Sequence, residues 1–184
     1  MLDRLGRSQT AVLLVLAAYF AANVLVRLSQ PASLEYDEAH QLFLSQWLFA
    51  GIDSQPPFYN WLQYGVVRLF GVSLASLSIL KNAMLFGCYL LYGLAAAQLL
   101  KDKVLAAIAT LGLLTIPQIS YETQRDLTHT VAALFGACLF FWCAVRTLQR
   151  PTLLNYALTG VAAGIGAMSK YNFVLFPVVV LAAA

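Results

Sequence analysis

KNAMLFGCYLLYGLAAAQLLKDK, residues 81–103, decides the fold. No charge falls between Lys81 and Lys101, and three charges follow at once. An α-helix rises about 1.5 Å per residue, so a run of about 20 apolar residues crosses a hydrocarbon core about 30 Å thick. The same interval recurs in both directions. Ser8–Val26 lies between Arg7 and Arg27, and Val104–Tyr121 between Lys103 and Glu122. Leu127–Val145 lies between Asp126 and Arg146, and Pro151–Ser169 between Arg150 and Lys170. Tyr171–Ala184 begins another run and stops short of a span. The expected fold is all-α: a polytopic membrane helical bundle of five spans plus a truncated sixth. The apolar ending predicts that residues 1–184 are the N-terminal part of a longer protein.

Composition supports the bilayer as solvent. The 184 residues are 61% hydrophobic and 10% charged, with mean hydropathy +0.75. Soluble domains are about half apolar and about a quarter charged. The net charge of +3 comes from scattered Lys and Arg, which excludes the basic footprint of a nucleic-acid binder. Cys88, Cys138 and Cys143 all sit inside apolar runs without metal-ligand spacing, as small fillers do. The first run follows Arg4 and Arg7, is long for a signal peptide and is followed by no A-x-A site, so an uncleaved span is expected.

Alternation of the spans sets the orientation. With the N-terminus inside, the inner connections carry Arg4, Arg7, Lys101, Lys103, Arg146 and Arg150, and the long segment 28–78 holds only Arg68 between Arg27 and Lys81. Six of the eight acids then lie outside: Glu35, Asp37, Glu38, Asp53, Glu122 and Asp126. The outer loop 29–78 is patterned. Ala39, Leu42, Phe43, Trp47 and Ala50 recur at helical spacing opposite a polar edge of Glu38, Gln41 and Ser45. The spacing predicts an interfacial helix over 38–50 ended by Gly51, and a second, aromatic-rich one from Pro57.

Three polar groups converge on the outer side: the acids of EYDEAHQ (35–41), Gln124-Arg125-Asp126, and Lys170. Each key residue has two readings. Asp37 caps the following helix, or serves as a general base whose proton affinity is raised by partial desolvation. Asp126 caps the fourth span, or assists at the site. Arg125 anchors in headgroups, or offers its fork to a phosphate. Lys170 snorkels to the interface, or neutralises a lipid phosphate. Glu35 reads as a solvated loop acid. The two histidines, His40 and His129, lie near the acids but match no metal-ligand spacing. Walker, GxGxxG, GxSxG and HExxH patterns are absent from residues 1–184, which leaves a nucleotide-dependent reaction without a home.

Asp37-Glu38-Ala39, Gln55-Pro56-Pro57 with Tyr59 and Trp61-Leu62, Leu69-Phe70-Gly71-Val72-Ser73, the span start at Asp126 and the stretch Gly160–Lys170 follow in a set order. That order resembles the protein O-mannosyltransferase-like group of the C-type glycosyltransferases, which includes the lipid A aminoarabinose and galacturonic acid transferases. The resemblance covers nearly the whole chain. It implies a membrane domain of about a dozen spans in the cytoplasmic (inner) membrane, with the active site on the outer, periplasmic face. It implies transfer of a sugar from a polyprenyl-phosphate donor to a lipid, glycan or protein acceptor. Asp37 takes the place of the catalytic aspartate, with Glu38 its neighbour and Asp126 the second acid. Gln55, Tyr59 and Trp61 fall in the substrate loop. The lipid transferases commonly carry Lys where this chain has Gln55, which shifts the expected donor-phosphate contacts to Arg125 and Lys170. A divalent metal stays open as an aid to the leaving phosphate. Many members also carry an outer soluble domain, which residues 1–184 do not contain. Two competing readings are a transporter, which calls for charged or broken helices near the midplane, and a non-enzymatic membrane assembly protein.

Overall fold

The computed structural model describes residues 9–31, 33–51 and 54–182, and every regular element among them is helical. Arg4, Arg7 and Asp53, which entered the orientation and loop readings, lie outside the described residues. The α-helices of eight residues or more are α1 (Gln9–Ser29), α2 (Tyr36–Leu44), α3 (Phe58–Phe70), α4 (Leu74–Leu100), α5 (Lys103–Gly112), α6 (His129–Gln149), α7 (Leu153–Ala167) and α8 (Leu175–Ala182).

α4 is the centre of the bundle. Its 27 residues make about 40 Å of helix, longer than the hydrocarbon core. α1 packs on it through the stripe Val12, Leu16, Phe20, spaced one turn apart, and turns Leu14, Val15, Leu25 and Val26 outward. Leu85, Cys88 and Tyr89 of α4 meet that stripe and also Val131 and Ala132 of α6. Phe20 and Tyr89 pack edge to face, 5.3 Å between centroids. An exterior this apolar around a closed helical backbone suits lipid.

Three helices are long and apolar enough to cross a membrane, namely α1, α4 and α6. A fourth crossing exists if the bent pair Lys103–Thr115 and Gln118–Arg125 counts as one span. The expected all-helical membrane bundle is present, and the expected count of five spans plus a truncated sixth is not confirmed, because two of those spans differ from the pattern. Pro117 interrupts the expected span 104–121: it has no N–H to donate and forces its predecessor out of the helical region. Ile116 is extended (φ −92°, ψ 107°), and the two halves meet at 71°. The expected span 151–169 forms only the 15-residue α7, about 22 Å long and short of the hydrocarbon thickness. A third correction concerns a boundary. α4 begins at Leu74, where the Ser73 hydroxyl accepts the Ser76 N–H at 3.2 Å, so Lys81 lies two turns inside the helix.

α6 and α7 cross where both carry glycine. A Cβ on Gly136 would stand 2.6 Å from the Gly166 Cα, and one on Gly166 would collide with the Phe173 ring. Small residues let membrane helices approach closely. The α6–α7 connection then closes with a Thr147–Thr159 hydroxyl pair at 2.8 Å.

Two helices do occupy the loop between α1 and α4. α2 starts earlier and ends earlier than its pattern predicts. Glu35 takes the N-cap position, and the Glu38 carboxylate accepts the Glu35 N–H at 3.4 Å. The helix stops at Ser45, before Gly51, where the Gln46 and Trp47 N–H groups turn back onto Phe43 and Leu44. The face assignment agrees with the pattern: Glu38, Gln41 and Ser45 are buried against the bundle, and Phe43 and Trp47 face outward.

Candidate functional site

The two ends of the bundle differ. At one end Gln9 bonds the Gly93 carbonyl and Gln149 the Gln98 carbonyl, among Lys101, Lys103, Arg146 and Arg150. At the other end the C-terminus of α1, all of α2, the start of α3, the first turns of α4, the end of the bent segment, the start of α6 and the end of α7 come together. Cross-links hold them there. Gln124 Nε2 donates to Asn82 Oδ1 at 2.9 Å. The Phe58 N–H donates to the Met168 carbonyl at 3.1 Å, tying the head of α3 to the tail of α7.

The largest anchor is Glu38. Its Oε2 accepts from Arg27 Nη2 at 2.9 Å and its Oε1 from Lys81 Nζ at 3.1 Å. The Glu38 and Lys81 side chains are 3% and 2% exposed. Arg27 also donates to the Ser33 carbonyl at 2.7 Å. One carboxylate thus binds α2 to both α1 and α4, and both of its oxygens are engaged away from solvent. Burying Glu38 and Lys81, with Arg27 half-buried beside them, is tolerable only because each charge has its partner.

With Glu35 capping and Glu38 turned inward, Asp37 is released from both tasks. It is half-buried in the first turn of α2 and lines a cleft of about 290 Å³ with His40, Gln41, Gln55, His129 and Lys170. Burial is the main cause that raises its proton affinity above the ordinary carboxylate, and the charge of Asp126 adds to it. His40, Lys170 and Lys81 oppose that rise. Lys170 leaves the end of α7 half-buried, its Nζ donating to Thr130 Oγ1 at 2.9 Å. Gln55 reaches the same cleft because buried Pro56 and the Phe58–Met168 bond dock the loop before α3.

The other candidates fall elsewhere. Asp126 does not cap α6, which begins at His129 with Thr128 before it; its N–H bonds the Glu122 carbonyl at 3.1 Å, ending the turn Thr123–Arg125. Its side chain is half-buried and close enough for its charge to be felt at Asp37. Arg125 is largely exposed, with its Nε 3.6 Å from Glu35 Oε1. It lines a different cleft, of about 550 Å³, with Asn23, Arg27, Gln30, Glu35 and Gln124. Arg125 and Lys170, the two candidates for the donor phosphate, therefore line separate clefts. Tyr59 is fully buried in the core, its ring 5.7 Å from His129. Trp61 donates its indole N–H to the Phe49 carbonyl at 2.8 Å, joining α3 to the segment after α2. No three His, Cys, Asp or Glu side chains gather as a metal-ligand set among the described residues.

Reading the sequence missed Arg27 and Lys81 as partners of Glu38, and Gln41 and Thr130 as cleft residues. The spacing Glu35–Glu38 ahead of an apolar run carried a usable signal: an acid three positions after a cap closes on it, which places Asp37 in between.

Residues 54–184 match the family model described as dolichyl-phosphate-mannose-protein mannosyltransferase. The chain belongs to that family. It is 57% identical over 170 residues to lipopolysaccharide core galacturonosyltransferase RgtB of Rhizobium johnstonii, covering 92% of this chain and 34% of the relative. It is 53% identical over 183 residues to lipopolysaccharide core galacturonosyltransferase RgtA of the same organism, covering 100% of this chain and 37% of the relative. The chain thus spans about a third of the length of these curated relatives. No solved structure matches it. The mannosyltransferase family model covers α3, with the Gln55-Pro56-Pro57 approach to it, through Lys170 and α8; Asp37 and Glu38 precede it and lie in the stretch shared with the two relatives.

Proposed function

We propose that the protein transfers a sugar, galacturonic acid in the first instance, from a polyprenyl-phosphate donor to the core region of lipopolysaccharide at the outer face of the inner membrane. The sugar and acceptor follow the names of its two relatives; the donor type follows the family. The observation that carries the reading is Asp37: a partly desolvated carboxylate in a cleft beside a half-buried lysine, at the membrane-surface end of an apolar bundle.

Asp37 accepts the proton of the acceptor hydroxyl as that oxygen attacks the anomeric carbon. The bond from the anomeric carbon to the phosphate oxygen breaks, and the electron pair leaves on the polyprenyl phosphate. Lys170 supplies positive charge to that phosphate, which acquires negative charge as the bond breaks. A single displacement inverts the anomeric centre. A base with raised proton affinity is better matched to a hydroxyl proton than an ordinary surface carboxylate. Phe43 of α2 and Trp47 just after it face outward and give a prenyl chain an apolar approach to the cleft.

The test is Asp37→Asn in the full-length protein, with transfer from polyprenyl-phosphate-linked galacturonic acid to lipopolysaccharide measured in membranes. General-base catalysis contributes typically 10²–10⁴-fold, so a loss of about that size is expected at normal expression. Wild-type transfer by the variant would sink the assignment.

A further inference from the structure

The Asp37 cleft contains two amide side chains without a partner. Gln41 is 2% exposed, lines the cleft from the second turn of α2, and its Nε2 makes no hydrogen bond. Gln55 lines the same cleft from the loop before α3, and its Oε1 is buried without a bond. Leaving a buried amide unpaired is costly; buried Gln63 of α3 shares that state, but Gln41 and Gln55 line the cleft, where a ligand reaches them. Each amide presents a carbonyl acceptor and an NH₂ donor, the complement of a hydroxyl, which donates once and accepts twice. Either orientation of the amide serves. The cleft, about 290 Å³, is at the small end of ligand pockets, which run from about 300 to 1,000 Å³, and so takes one sugar ring rather than a chain.

We infer that Gln41 and Gln55 bind ring hydroxyls of the donor's sugar and set which sugar the protein accepts. This rests on the transfer reading above for the identity of the ligand, and on the cleft geometry for the residues. Neither amide titrates, so neither moves the proton; they hold the ring between Asp37 and Lys170. A site built to bond a hydroxyl discriminates strongly against an analogue that misplaces it, because its own polar groups are then left unpaired. The pair also accounts for glutamine ahead of Pro56-Pro57: at that point of the cleft the ligand group is a neutral hydroxyl, and the cation for the phosphate comes from Lys170.

The experiment uses the full-length protein in detergent, with Gln41→Leu, Gln55→Leu and the shorter but still polar Gln41→Asn. Equilibrium binding of polyprenyl-phosphate-linked galacturonic acid, and of its C2, C3 and C4 epimers, is read separately from turnover. Each Leu variant is expected to bind the donor about tenfold more weakly, to raise its KM by a similar factor with kcat little changed, and to lose discrimination against at least one epimer. Gln41→Asn is expected to fall between wild type and Gln41→Leu. Asp37→Asn should keep wild-type binding and epimer preference while losing transfer. Unchanged donor affinity and epimer ratios in both Leu variants, or loss of kcat with those ratios intact, would overturn the inference. So would a wild-type protein that fails to bind any of these donors. Binding with the expected preferences but no transfer would instead remove the transfer reading and leave the sugar site standing.

Discussion

Burial, and after it the charge of Asp126, raises the proton affinity of Asp37, and His40, Lys170 and Lys81 oppose that rise. A base must be deprotonated to work, so kcat/KM should fall on the acid side through a pKa above that of an ordinary carboxylate. The neighbours set the direction of change. Lys170→Gln removes a cation that favours the carboxylate, and should move the acid limb to higher pH. Asp126→Asn removes a negative charge, and should move it to lower pH. pH profiles of kcat/KM for the two variants check this, and shifts of the same sign would contradict it. Stability runs the other way. A group whose folded pKa is raised stabilises the fold when protonated and loses that contribution as pH rises through the folded pKa. Asp37→Asn should therefore keep, or slightly raise, thermal stability in detergent at neutral pH while transfer is lost. Glu38, one residue on, differs because both of its oxygens are held by cations. Glu38→Gln leaves Lys81 buried with no full countercharge, and breaking one side of a buried pair costs about 3–5 kcal/mol. Melting in detergent should show a large loss for Glu38→Gln. Much of it should return in Glu38→Gln with Lys81→Met, where no buried ammonium is left uncompensated.

At the scale of the elements, the crossing of α6 and α7 governs where Lys170 stands. Gly136 and Gly166 let the backbones touch, and Phe173 packs over Gly166 only three residues beyond Lys170. Gly136→Val forces the helices apart. Overpacking of this kind costs typically about 1–3 kcal/mol, and here it also displaces Lys170 from Thr130. The expected result is a lower melting temperature together with weaker donor binding; unchanged values of both would show that the crossing yields without consequence. The same elements show what sequence reading could reach. The apolar runs of α1, α4 and α6 were legible because a period set by bilayer thickness leaves charges at the ends. Lys81 misled because it looks like such an end and is instead a buried charge with a partner 43 positions away in the chain. Pro117 was visible, but the bend it makes depends on what fills the gap. The acids of α2 were legible as a group and not in their individual duties. Which of Glu35, Asp37 and Glu38 caps, pairs or faces the cleft is fixed by Arg27 and Lys81, which no local pattern announces. Tyr59 and Trp61 show the same limit. Both sit in the aromatic run of α3, yet one is core and the other bonds a loop carbonyl.

For the whole molecule, the two ends of the bundle make a topological prediction. Short connections rich in Lys and Arg stay on the cytoplasmic side, which assigns Lys101, Lys103, Arg146 and Arg150 inward and the Asp37 end outward. Within residues 1–184 the native thiols interfere little, because Cys88, Cys138 and Cys143 are all buried. Gly51 is exposed in the loop before α3, and a side chain built there meets nothing within 4 Å, so Gly51→Cys is a probe without steric cost. Lys103→Cys, exposed at the start of α5, probes the other end. A membrane-impermeant maleimide added to cells with a permeabilised outer membrane should label Gly51→Cys at once, and Lys103→Cys only after the inner membrane is opened. The reverse order would place Asp37 and Lys170 on the cytoplasmic side. A polyprenyl-linked sugar would then have to be used before it crosses the membrane, and the lipopolysaccharide core would have to be modified on the inner leaflet. Labelling at both ends from outside would mean that α4, the helix between the two probes, does not cross. That would move every element after it, including α6 and Lys170, to the opposite face from the one the bundle requires.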